Sequence, residues 1–188
     1  MELFTAIQSR RSISKLIDPA PSDDELRQIL QAAQLAPDHG RLKPWHFLLI
    51  RGAAREALGE LYLQAALAKQ SDLAENRKDK LRHMPLRAPL IIVVVAKSVE
   101  GHKVPVSEQI VATGAGVQNM LLAIEALNYS AMWRTGDMAY NQQVKTGLGL
   151  DESDVIVANL YVGTAGCPVK ERAAINFEGC VQEWRGKS

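Results

Sequence analysis

Cysteine is nearly absent from this chain of 188 residues, which has only Cys167 and Cys180. One pair 13 positions apart is neither a disulfide framework nor a zinc-ligand spacing, and four scattered histidines add no cluster, so no metal is expected. Long apolar runs are missing too. The longest, residues 88–96, is too short for a membrane-spanning helix and reads instead as a buried, β-branched strand. Nor is there an excess of one charge: 22 basic and 21 acidic side chains leave +1, so no overall field points to nucleic acid or a membrane surface. Any anion site must be local. The first residues hold no basic stretch followed by an apolar one, so no secretory signal is read and the cytoplasm is the expected compartment.

Several catalytic signatures are lacking as well. No G-x-G-x-x-G follows a strand and no G-x-x-x-x-G-K-[ST] occurs, so neither a dinucleotide-binding βαβ unit nor a phosphate-cradling P-loop is indicated. There is no G-x-S-x-G elbow, and no histidine, serine and acid stand out as a triad.

What is present is an ordinary globular composition, 47% hydrophobic, in which apolar periodicities alternate between helix and strand. Leu3, Phe4 and Ile7 predict a short first helix ending near Arg10. Ser22 three residues before Glu25 is a capping-box pattern, and Leu26, Ile29, Leu30 and Ala33 mark one face of a helix ending near Ala36. Strands are expected at 46–50, 88–96, 129–133 and 155–162, and helices at about 53–69, 107–128 and 141–148. The mixed charges of residues 71–87 suggest a solvated helix or excursion, with a lid over a site as the alternative. Gly114 and Gly116, inside the longest helix, imply that another helix or a planar ligand comes close. With no repeat or linker, one α/β or α+β layered domain over 1–188 is expected, its irregular tail lying over another surface.

The most site-like stretch runs from Pro37 to Phe47. Two prolines bracket it, Gly40 permits a positive φ, His39, Arg41 and Lys43 bring donors, and Trp45 brings a flat face at the start of a strand. A plain surface connection is the competing reading. Arg10, Arg11 and Ser12, at the exit of the first helix, suit a phosphate; equally, cations there complement the helix dipole. Trp133, Arg134, Thr135 and Gly136 read as a second turn joining an aromatic, a cation, a hydroxyl and a glycine. Cation-plus-hydroxyl turns with aromatics suit a flat, anionic cofactor that carries the chemistry itself.

Arg10-Arg11-Ser12 after a first helix, the Ala36-Pro37 loop ending in Pro44-Trp45-His46-Phe47, and Ala88-Pro89-Leu90-Ile91 together resemble the FMN-dependent nitroreductase family. Its compact YdjA-type branch of NAD(P)H nitroreductases is the nearest likeness, through Pro37-Asp38-His39, His102-Lys103-Val104-Pro105 and the Trp133–Gly136 segment. The resemblance implies an α+β fold with a mostly antiparallel central sheet flanked by helices, and a C-terminal tail extending onto a partner subunit. It implies a homodimer with FMN at the interface, NAD(P)H as co-substrate and small-molecule oxidants such as nitroaromatics or quinones. Arg10, Arg11 and Ser12 would hold the phosphate, ribityl chain and pyrimidine edge; His39 and Arg41 would reach over from the partner. Trp133, Arg134 and Thr135 would close over the flavin, and Lys170 and Arg172 would form a late phosphate clamp. Residues 123–128 correspond to a candidate nicotinamide-nucleotide region, and the long helix would lie at the dimer core. The chain departs from the common family loop in having Asp38 and His39 for serines, Arg41 for asparagine and Lys43 for glutamine, and it has Ser14 where many members are basic. A flavin-binding sensor or storage dimer without turnover, and an anion-binding module without flavin, are the rival readings.

Overall fold

The computed structural model describes residues 1–169, 171–173, 176 and 178–186. Its centre is β3 (Leu90–Ala96), a run of β-branched and aliphatic residues all of which are buried. β3 pairs with β2 (Trp45–Arg51) on one side and β5 (Val155–Ala165) on the other. β5 also takes β4 (Ser130–Arg134) and the two-residue β1 (Leu16–Ile17). Every one of these pairings is antiparallel, and helices cover both faces, so the α+β architecture expected from the sequence is the one observed.

Alternation along the strands divides the core in two. Leu90, Ile92 and Val94 face α2 (Asp23–Gln34) and α5 (Val106–Ala126), while Ile91, Val93 and Val95 face α3 (Ala54–Lys69). α2 begins as expected, with Glu25 N–H donating to Ser22 Oγ and Ser22 N–H to the Glu25 carboxylate at 2.8 Å. It ends two residues earlier than the sequence suggests. In α5 the close approach is at Gly116, where a Cβ would lie 3.0 Å from the Ala33 carbonyl oxygen of α2. Gly114 meets nothing within 4 Å.

One expectation needs correction. The strand expected to end at Trp133 runs one residue further: Arg134 is not in a turn, since pairing with Asn159 makes it the last residue of β4, and the turn starts at Thr135. A partner distant in sequence decides this, not local propensity. The short first helix is present as α1 (Leu3–Ser9), with its apolar stripe on the surface: only Ala6 is buried, and Leu3, Phe4 and Ile7 are 59%, 74% and 41% exposed.

Residues 75–83 form α4 (Glu75–His83), which docks on α3 through buried Leu81. The contact is close: a Cβ at Gly59 of α3 would collide with the Arg82 carbonyl. After β4 come two short helices, α6 (Gly136–Tyr140) and α7 (Gln142–Gly147). Among the described residues no helix is long and apolar enough to cross a membrane, and no group of histidine, cysteine and acidic side chains could hold a metal ion.

Candidate functional site

The exit of α1 runs beside β4. Ser12 bridges to Ala131, and Ile13 N–H donates to the Ala131 carbonyl at 3.1 Å. Just before it, Ser9 Oγ donates to Glu125 Oε1 at 2.6 Å, which fixes this exit to the last turn of α5. Arg172 approaches from the tail, its Nη2 donating to the Arg10 carbonyl at 2.9 Å. Arg11 Nη1 folds back on the carbonyls of Gln8, Ser9 and Arg10 at 2.5, 2.7 and 3.1 Å, the arrangement in which a cation complements a helix C-terminus. Arg11, Ser12, Glu171 and Arg172 line a cavity of about 260 Å³. Lys170 lies outside the described residues. Residues 123–128 close α5, where Asn128 takes a left-handed φ of 64° before β4 begins.

Arg134 lies three residues beyond Ala131, about 10 Å along β4. With Thr135 it borders a second cavity, of about 500 Å³, between the sheet, α4 and α6. The Arg134 guanidinium carbon stands 5.6 Å from the centroid of the Tyr161 ring, a cation–π contact. Across from Arg134 on β5 is Asn159, which is 3% exposed and also lines the cavity. Its Oδ1 is buried without a hydrogen-bond partner. Such an atom costs about 1–3 kcal/mol unless a ligand satisfies it.

Tyr62 and Tyr161 complete the inner wall. Burial pushes the Tyr62 hydroxyl well above the usual tyrosine value and raises that of Tyr161 too, where the nearby Arg134 and Arg87 pull partly back. Both therefore stay protonated as donors at neutral pH. Trp133, one residue before Arg134 and so on the opposite face of the strand, is 38% exposed and donates its Nε1–H to the Val157 carbonyl at 3.0 Å.

The Pro37–Phe47 loop is elsewhere. His39 Nδ1 lies 2.7 Å from Glu108 Oε2, in the first turn of α5. Gly40 takes φ 81°, but so do two side-chain-bearing residues near it adopt left-handed backbone, Arg41 at 55° and Lys43 at 50°. Such residues store strain of about 1–2 kcal/mol each. Asp38 Oδ2, accepting from Lys43 N–H at 2.6 Å, holds the turn in place. The Arg41 side chain is exposed, while Pro44 is buried and Trp45 half-buried at the start of β2.

One chain thus brings Arg10, Arg11, Ser12 and Arg172 together, with Trp133, Arg134 and Thr135 a short way along the same strand. It does not bring His39 and Arg41 to them. Glu108, which holds His39, and Glu125, which holds Ser9, stand about 26 Å apart along α5 at the helical rise per residue.

Sequence reasoning missed Asn159, which reads as one more residue of an apolar strand. It also missed Arg77, Lys80 and Arg87 on the cavity wall. Their charge is plain in the sequence, but the direction in which each points depends on how α4 docks.

The structure thus presents two cation-bordered cavities, one of about 260 Å³ beside Arg11, Ser12 and Arg172 and one of about 500 Å³ beside Arg134 and the buried acceptor of Asn159. Residues 7–164 match the Nitroreductase family, and the chain belongs to it. Over 164 residues it is 42% identical to the Escherichia coli K12 protein named "Putative NAD(P)H nitroreductase YdjA", covering 87% of this chain and 88% of that one. A Haemophilus influenzae protein with the same designation, lacking only the gene name, is 34% identical across 87% of this chain and 89% of its own. Among solved structures, a nitroreductase-like family protein from Bacillus cereus superposes with a TM-score of 0.84 at 25% identity, over 99% of this chain and 97% of that one. A Desulfovibrio desulfuricans protein solved as a "putative nitroreductase in complex with fmn" gives 0.75 at 25% identity, over 97% of each chain.

Proposed function

We propose that this chain is an FMN-dependent oxidoreductase that takes hydride from NAD(P)H and reduces nitroaromatic or quinone acceptors. The observation that carries the reading is Asn159 Oδ1, a buried acceptor without a partner on the wall of a cavity that also presents Arg134 and two tyrosine hydroxyls. The pyrimidine edge of a flavin offers what that wall lacks: an N–H for Asn159 and, on either side of it, carbonyl oxygens for the cations and hydroxyls. About 10 Å along β4, Arg10, Ser12 and Arg172 suit the phosphate end, joined in the proposal by Arg11 and Lys170. The residues present therefore fit FMN.

Bound FMN would supply the redox chemistry, accepting two electrons from NAD(P)H and passing them to the oxidant. The protein's part is to hold and polarise. Arg134 would sit where negative charge grows on the reduced ring, in surroundings from which Tyr62, Tyr161 and Met138 exclude much of the water. Trp133 and Thr135 would wall the flavin. No side-chain acid or base is assigned, because the electron carrier needs none from the protein.

A homodimer belongs to the same reading. Leu3, Phe4 and Ile7 on α1, Val111 at 70% exposure and the open Gly114 on α5 form an apolar surface that a second copy would cover. A two-fold axis that sets α5 against its mate in antiparallel fashion would carry the partner's His39 loop some 26 Å back, toward this chain's Arg10 and Ser12. His39 and Arg41 would then reach a flavin that their own chain does not hold, and the tail with Trp184, 85% exposed, would lie on the partner. A cytoplasmic setting, where NAD(P)H is available, goes with this reading.

The test is spectroscopic. Purified protein, or protein reconstituted with FMN, should show visible flavin bands that bleach with NADPH or NADH without oxygen and return on adding a nitroaromatic. A colourless preparation that cannot be reconstituted overturns the flavin reading; bound flavin that does not bleach leaves a sensor or storage dimer.

A further inference from the structure

We propose that Arg77 and Lys80 of α4 form an anion subsite at the mouth of the flavin cavity, one that recognises a phosphate or carboxylate on the molecule exchanging electrons with the cofactor. The proposal rests on the flavin reading above and adds a substrate class to it.

α4 sorts its cations by direction. Lys78 pairs with Glu75 at 2.7 Å, and Arg82 lies 3.4 Å from Glu60 and 3.6 Å from Asp79. Arg77 and Lys80 have no carboxylate within ion-pair distance among the described residues, and both line the 500 Å³ cavity with Leu81 and Met84. Positions 77, 80, 81 and 84 follow the helical repeat, so one face of α4 carries its unpaired cations and its apolar residues together.

Arg87 and Arg134 add two more cations to this cavity, and among the described residues Asp137 is the one acid on its wall. Cations gathered around one half-open cavity repel one another and together attract an anion. Arg134, beside the buried Asn159, serves the inner end. Arg77 and Lys80 are exposed at the rim, in reach of a second molecule stacked on a flavin. The phosphate of FMN itself has its own cations about 10 Å away along β4.

The matching chemistry is a planar or nucleotide-like molecule with an added negative group. Two sources fit: the 2′-phosphate that distinguishes NADPH from NADH, and the carboxylate of an acidic nitroaromatic acceptor.

The experiment uses the flavin-loaded dimer and the double variant Arg77→Glu with Lys80→Glu, both exposed positions. KM is compared for NADPH against NADH, and for 4-nitrobenzoate against the neutral 4-nitrobenzyl alcohol. At least one anionic-to-neutral KM ratio should rise about tenfold in the variant, and added salt should shrink the wild-type preference. A change in the nucleotide arm alone assigns the subsite to the 2′-phosphate; a change in the acceptor arm alone assigns it to the oxidant. Unchanged ratios in both arms overturn the proposal, as does a variant that loses FMN affinity, for then the two cations hold the cofactor. Failure of the underlying reading is seen separately, in a wild-type protein with no flavin band.

Discussion

Ser9 Oγ donates a 2.6 Å hydrogen bond to Glu125 Oε1, joining the last residue of α1 to the last turn of α5 across 116 positions of sequence. The bond is part-buried and charge-assisted, and Arg10, Arg11 and Ser12 follow it directly. Ser9→Ala or Glu125→Gln should therefore loosen the phosphate end of the site without touching it. The expected result is a thermal midpoint of the FMN-free protein lowered by several degrees, in line with the roughly 1.5–3 kcal/mol of a hydrogen bond to a charged group, together with FMN affinity lowered by about tenfold. Titration of apoprotein with FMN, followed by flavin fluorescence, measures it; equal affinities would mean the bond does not position the cradle.

Asn159 invites a trade between stability and binding. Replacing it with leucine, which is similar in size, removes the unpartnered acceptor. The FMN-free protein should melt about 2–4 °C higher for each kcal/mol recovered, while its affinity for FMN falls. Calorimetry with and without FMN tests both halves. A variant that is less stable without FMN would show that the amide is satisfied in some other way.

The α1 surface bears on assembly. Phe4, 74% exposed, makes so little contact within its own chain that Phe4→Asp should leave the fold intact. It should turn a dimer into a monomer and strip FMN in the same step, since the proposed site is completed by His39 and Arg41 of the partner subunit. Light scattering and the visible spectrum read the two effects; a monomer that retains full flavin would dispose of the shared site.

The capping box of α2 predicts a pH effect. The Ser22 hydroxyl and N–H hold the Glu25 carboxyl below the ordinary glutamate value. A depressed carboxyl contributes stability that is fully present above its unfolded pKa, about 4.3, and is lost as pH falls through the lower folded value. Ser22→Ala should cost about 1 kcal/mol at neutral pH. The gap in thermal midpoint between the two proteins should narrow between about pH 5 and about pH 3. Parallel melting curves across that range would contradict the account.

Much of this architecture is legible in the sequence because it rests on local signals. Ser22 with Glu25, the β-branched run at 90–96 and the long periodicity of α5 each declare themselves within a dozen residues. What is hidden depends on partners far away in sequence. Arg134 reads as part of a turn until β5 pairs with it, and periodicity marks Leu3, Phe4 and Ile7 as one helix face without telling whether its own chain or another covers it. Asn159 reads as one more residue of an apolar strand; only its position opposite Arg134 on a cavity wall gives it meaning. The motif at 10–12 was visible, but its nearness to Arg172 and distance from His39 come from the fold alone.

The contact between α3 and α4 sets a limit on how selective this site can become. With the Arg82 carbonyl seated where any side chain at position 59 would have to go, the two helices meet backbone to backbone, and the wall bearing Arg77 and Lys80 stands at a fixed distance from the sheet. Acceptors of different size would be accommodated by long, mobile arginine and lysine side chains and not by movement of the helix. Such a wall discriminates by charge more readily than by shape. An enzyme built this way would be expected to accept a broad range of ring systems and to rank them chiefly by the negative groups they carry.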